Sequence, residues 1–86
     1  MLEFHDWMCS MGFELLRFES VDIYRYEGIE SVIMVRGRSN STRVEVDSYP
    51  LTNPFANHTY RIDCRDMQVG LEQVIRCILL IFIETR

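Results

Sequence analysis

The stretch Asp66-Met67-Gln68-Val69-Gly70-Leu71-Glu72-Gln73-Val74-Ile75-Arg76-Cys77-Ile78-Leu79-Leu80-Ile81-Phe82-Ile83 decides the fold. Met67, Leu71, Val74, Ile75, Ile78 and Phe82 recur at spacings of three and four, the period of one helix face. That pattern predicts a single helix from Met67 to Ile83. Asp66 is placed to cap it, because its carboxylate can accept the free N–H groups of the first turn. Asp63, three residues earlier, also favours the positive helix end. Gly70 costs roughly 1 kcal/mol against Ala in a helix interior. On a packed helix a glycine permits close approach to a neighbour.

From Cys77 to Ile83 the chain is apolar without a break. The core stripe takes Ile78, Ile81 and Phe82, which sends Leu80 and Ile83 to the opposite side with Val69 and Arg76. A helix that is apolar all round is normally buried all round. The run falls short of the ~20 apolar residues that a bilayer span needs. A buried strand is the alternative, but the preceding stripe enters the run in phase and favours helix. The expectation is that Val69, Leu80 and Ile83 form a second buried side. A second copy across a two-fold axis would cover it, or the first helix, or the loop Tyr49–Phe55, or a partner.

Outward from this helix, residues 2 to 11 also carry a helical stripe, with Phe4, Trp7, Met8, Met11 and Leu15 three or four apart. Gly12 fits the left-handed position that ends a helix, and Phe13 can pack back on the last turn. Between Phe13 and Cys64 the period changes to alternation. Phe13–Glu19 and Asp22–Glu27 read as strands around a turn near Ser20, with Tyr24 and Tyr26 on one face and Ile23 and Arg25 on the other. Ser31–Arg38 is rich in β-branched residues and reads as a strand. Arg38-Ser39-Asn40-Ser41 is its hairpin turn. Thr42–Asp47 and His58–Cys64 alternate cleanly. Val44, Val46, Tyr60, Ile62 and Cys64 face in, while Arg43, Glu45 and Asp47 face Thr59, Arg61 and Asp63 as cross-strand pairs outside. Ser48–Asn57 holds both prolines, Pro50 and Pro54, and reads as one long loop. The expected fold is α+β in a single domain over residues 1–86: a helix, a meander-like antiparallel sheet of four or five strands, and a helix, with both helices on one sheet face.

The 86 residues carry a formal charge of −4, so the whole molecule is not a non-specific nucleic-acid binder. All nine basic residues are arginine, the side chain suited to forked bonds with carboxylate and phosphate. The three cysteines, Cys9, Cys64 and Cys77, are an odd number, and the N-terminus lacks the pattern of a signal peptide. Free thiols in a reducing cytoplasm are the expectation, with no membrane association.

No catalytic grouping is evident. His5 and Cys9, four apart, would share a helix face as half a zinc site or as a thiol and its base, but no further ligand pair completes a site. Asp63 and Asp66 suit helix-start duty better than acid–base work. No cofactor, metal or enzyme activity is expected. The stretch Arg36-Gly37-Arg38-Ser39-Asn40-Ser41-Thr42-Arg43 holds three arginines and no acid. Arg36, Arg38 and Arg43 on a hairpin tip form the alternative, a nucleic-acid contact. Against it stand the acidic residues around the hairpin, so nucleic-acid binding is not expected.

Tyr24, Tyr26, Tyr49, Phe55 and Tyr60 are too many aromatics for the inside of a sheet covered on one face. Tyr and Arg are the types enriched in protein-binding surfaces. The expected function is therefore a non-catalytic protein-binding module. Such a module suits a small phage or mobile-element accessory protein that inhibits a larger defence or nucleic-acid-handling complex by occupying its surface. The expected interface is Tyr24, Tyr26, Tyr49, Phe55 and Arg61 on the sheet and loop, with Val69, Arg76, Leu80 and Ile83 on the last helix. The last of the alternatives is a small ligand-binding domain or enzyme.

Overall fold

The computed structural model describes residues 2–84. In chain order the elements are α1 (Leu2–Ser10), β1 (Glu14–Arg17), β2 (Val21–Glu27), β3 (Ser31–Arg38), β4 (Arg43–Pro50), β5 (His58–Asp63) and α2 (Met67–Glu84). The fold is α+β, as the alternation and the two helical stripes predict. The five strands lie in sequence order, β1-β2-β3-β4-β5, each antiparallel to the next.

Helix α1 stops for a local reason. Gly12 takes a positive φ of 95°, which costs a residue without a side chain little. The Phe13 N–H then donates to the Met8 carbonyl at 3.0 Å and the Gly12 N–H to Cys9 at 3.1 Å. These are the paired bonds that satisfy the last carbonyls of a helix. They turn the chain so that the Phe13 ring drops into the core, 4% exposed.

Register assigns the faces. Tyr24 pairs with Val35, and Val35 with Val46, which in turn faces Tyr60. Tyr26, Ile33, Val44 and Ile62 share that side by the two-residue period. Both helices cover it: Met8 of α1 and Val74, Ile78 and Ile81 of α2 join Ile33, Val35, Val46 and Ile62 in one buried cluster. An aromatic group closes one end of this layer. The Tyr26 ring lies 5.1 Å from Phe82 and 5.4 Å from Phe13, and Phe4 meets Tyr24 edge-on at 5.8 Å.

Tyr24 and Tyr26 therefore do not belong to an open sheet face. They are half-buried and hold the sheet to the two helices. Met67 also departs from its expected place in the core stripe and is 52% exposed. Gly70 is buried instead, and it is the point where α2 comes down on the chain that leaves β5. A Cβ built on Gly70 would sit 2.5 Å from Cys64 Sγ and 2.7 Å from Cys64 Cα. The first turn, with Met67, precedes that crossing. Asp66 caps α2 as expected, its Oδ1 accepting the Val69 N–H at 3.2 Å.

Cys77–Ile83 is helical, continuous with the preceding stripe. Strand β4 runs on through Ser48, Tyr49 and Pro50, so the loop before β5 is shorter than the sequence implies. Pro50, with no N–H to give, stands at the strand's last position, opposite Ser31. Cys9, Cys64 and Cys77 are free thiols. Among the described residues no helix is long and apolar enough to cross a membrane.

Candidate interface surfaces

Strand β5 is the last strand of the sheet, so one of its edges has no strand beside it. The Cys64 N–H donates to Thr42 O at 2.7 Å, which sets the phase of the ladder. Donors alternate along an antiparallel strand, so Ile62 and Tyr60 bond to β4 while Thr59, Arg61 and Asp63 present N–H and C=O to the free edge. Natural edge strands are usually blunted by Pro, charged side chains, a bulge or extreme shortness. The six residues His58–Asp63 have no Pro, and their charges, Arg61 and Asp63, lie on the open face. The opposite edge, β1, is only four residues long.

Beside the free edge, the covered side opens into a groove of about 510 Å³ between β5 and α2. Tyr60 and Ile62 form one wall, and Arg76, Cys77 and Leu80 the other. Tyr60 is 43% exposed and Leu80 58%. Burial within the helix layer pushes the Cys77 thiol above its ordinary pKa, with Glu84 adding to the effect. Cys77 is thus an apolar wall element at neutral pH rather than a nucleophile.

Arg61 stands on the other side of the same strand. Its Nε lies 3.3 Å from Glu45 Oε2. Asp47, only 3% exposed, sits one step along β4 and ties Arg36 Nη2 at 2.5 Å and the Thr59 hydroxyl at 2.6 Å. The cross-strand pairs Arg43–Asp63, Glu45–Arg61 and Asp47–Thr59 match the expected facing. This lattice fixes β5 to β4 without a helix above it.

The residues expected to form one interface are distributed over several surfaces. Arg61, Arg76 and Leu80 flank the groove, and Val69, 49% exposed, lies on the same side of α2. Ile83, 66% exposed, borders a separate hollow of about 780 Å³ with Leu79, Phe82 and Ile29. So Val69, Leu80 and Ile83 are not covered by α1 or by the loop before β5. Tyr49 is half-buried on the open face opposite Val32. Phe55, 95% exposed, stands at the tip of the loop, where the Asn53 side chain accepts its N–H. Tyr60, one of the surplus aromatics, and Gln73 line the groove but were not in the expected interface; the gap between β5 and α2 reveals them.

Arg36, Arg38 and Arg43 do converge, at the opposite end of the open face. His5 and Cys9 also meet, Nε2 to Sγ at 3.5 Å, with the Tyr24 hydroxyl 2.8 Å from Nδ1. Among the described residues no group of three or more His, Cys, Asp or Glu is placed to hold a metal ion. The chain matches no family model, no curated protein and no solved structure.

Proposed function

We propose that the chain is a non-catalytic protein-binding module that takes an extended segment of a larger protein onto the β5 edge, as a sixth strand. One observation carries this reading: a terminal strand free of Pro, with outward N–H and C=O groups on Thr59, Arg61 and Asp63, opens directly onto an apolar groove. Strand addition draws affinity from main-chain bonds and specificity from pockets that receive alternate side chains. The groove of Tyr60, Cys77 and Leu80 is such a pocket on the covered side. A module of this kind acts by occupying a surface, which suits inhibition of a larger complex.

A second copy of the chain is the alternative occupant, favoured by register. Antiparallel pairing of two β5 strands about Tyr60 sets Thr59 opposite Arg61 and His58 opposite Ile62, keeping covered-side residues together. It also brings the exposed Leu80 and Val69 of each copy toward the axis.

The test uses two substitutions at one position. Arg61→Ala removes the side chain and keeps the outward N–H; Arg61→Pro removes both while sparing the β4 ladder. A partner recovered by affinity capture from the native host is expected to bind Arg61→Ala nearly as well as wild type and Arg61→Pro at least tenfold more weakly. Equal affinity for the two variants would sink strand addition. Sedimentation identifies the occupant. A wild-type dimer that Leu80→Asp converts to a folded monomer assigns the edge to a second copy, and a wild-type monomer at high micromolar concentration assigns it to another protein.

A further inference from the structure

Two hairpin turns lie side by side at the end of the sheet where β1 meets β2 and β3 meets β4. The Ser39 N–H donates to Ser20 O at 3.0 Å and locks them together. On the open face beneath them is a cleft of about 470 Å³, within the size range of small-ligand sites. Its polar side is Arg36, Arg38, Arg43 and Ser41, and its apolar side includes Phe18 and Ile23.

The charges in this cleft are unequal in what they have left to offer. Arg36 is engaged by Asp47, and Glu45 at the rim is engaged by Arg61. Arg38 and Arg43 form no ion pair among the described residues and are exposed. Ser41 Oγ accepts the Arg43 N–H at 3.1 Å, which leaves its own O–H to donate. Two unneutralised guanidiniums and a hydroxyl make an anion site. Phe18 stands beside them 61% exposed, a large apolar surface left in water.

We propose that this cleft binds one nucleotide unit, with the phosphate on Arg38, Arg43 and Ser41 and the base stacked on Phe18. The pairing of a free aromatic face with arginines on an open antiparallel sheet is what single-stranded nucleic acid requires, and base–aromatic stacking tolerates any sequence. A phosphate alone would not use Phe18, and an acidic peptide would not need a flat ring. The chain's charge of −4 restricts the contact to a short unit, either a free nucleotide or one nucleotide of a single strand.

Fluorescence anisotropy with a labelled single-stranded oligonucleotide of about ten nucleotides, at about 50 mM salt, tests this. Wild type is expected to bind. Arg38→Ala with Arg43→Ala should weaken binding at least tenfold and reduce the log–log salt slope by about 0.7, the value for one single-strand phosphate contact. Phe18→Ala should weaken it by about fivefold or more. All three side chains are exposed, so the circular dichroism spectrum should not change. Competition by adenosine monophosphate at equal affinity identifies a free nucleotide, and tighter binding of the oligonucleotide identifies a strand; both uphold the cleft. The proposal is overturned by absence of binding at low salt, or by unchanged affinity in the variants. Displacement by inorganic phosphate or a polyglutamate peptide as effective as the nucleotide overturns it too.

Discussion

Gly70→Ala separates a packing glycine from a merely tolerated one. In an open helix site, replacing Gly by Ala stabilises by about 1 kcal/mol, through backbone entropy. At Gly70 the new Cβ meets Cys64 Sγ at 2.5 Å, Cα at 2.7 Å and Cβ at 2.9 Å. The thiol could rotate away. The Cα cannot, because Cys64 is anchored by its N–H bond to Thr42. Helix α2 must therefore lift from β5, which loosens Val74 and Ile78 further along the same face. Forcing one methyl into a close-packed site costs typically 1–3 kcal/mol, and part of the helix gain offsets it. The expected net loss is about 1–2 kcal/mol. With an m-value of about 1 kcal/mol/M for a chain this small, the urea midpoint should fall by about 1–2 M. Cys64→Ala in the same chain should not rescue it, since the backbone contact remains. Gly37→Ala is the control, because a Cβ there meets nothing within 4 Å. A Gly70→Ala protein more stable than wild type would refute the close-approach argument.

Asp47→Ala should lower stability by about 1–2 kcal/mol, because it strips Arg36 of its closest carboxylate and leaves the Thr59 hydroxyl without its acceptor. Urea unfolding measures the loss, and Asp47→Asn should recover part of it by restoring the Thr59 acceptor. Burial raises the pKa of the Cys64 and Cys77 thiols and of Tyr24, so the unfolded chain gives up those protons first as pH rises. Stability should hold through neutral pH and fall above about 8.5, and more steeply above about 10. Thermal melts between these values check it, and Cys64→Ala with Cys77→Ala should flatten the first part of the decline.

Much of this fold is legible in the sequence where one physical signal dominates. Ser31–Arg38 has the expected bounds because β-branched residues lie between turn residues on both sides. The shared face of Arg43, Glu45 and Asp47 with Thr59, Arg61 and Asp63 follows from alternation, and the register of β4 and β5 then pairs them. Alternation also groups Tyr24 with Tyr26, but it does not say which face a helix will cover, and a tyrosine suits either. The helices decide that, and they land on the tyrosines. Val32 shows the converse. It lies on the open face, yet it is 1% exposed, packed between its cross-strand neighbours Tyr49 and Glu27. The Arg36–Arg43 stretch was visible as a charge run, but Phe18 comes from a different hairpin. The β2–β3 register, with Val21 opposite Arg38, and the bond between the two turns bring them together.

The two proposed surfaces draw on almost none of the residues that hold the fold. The central core is Met8, Ile33, Val35, Val46, Val74 and Ile78, beneath the helices. The cleft lies on the opposite sheet face, and the β5 edge offers main-chain groups and half-exposed side chains. Ile62 and Ile81 are the points of overlap, since they line the groove and also belong to the buried cluster. Substitutions at Leu80, Phe18, Arg38 or Arg43 therefore test binding without testing folding, whereas one at Arg61 also removes its ion pair with Glu45. The same separation explains how Leu80 and Phe18 can remain in water. The cluster stabilises the chain without them.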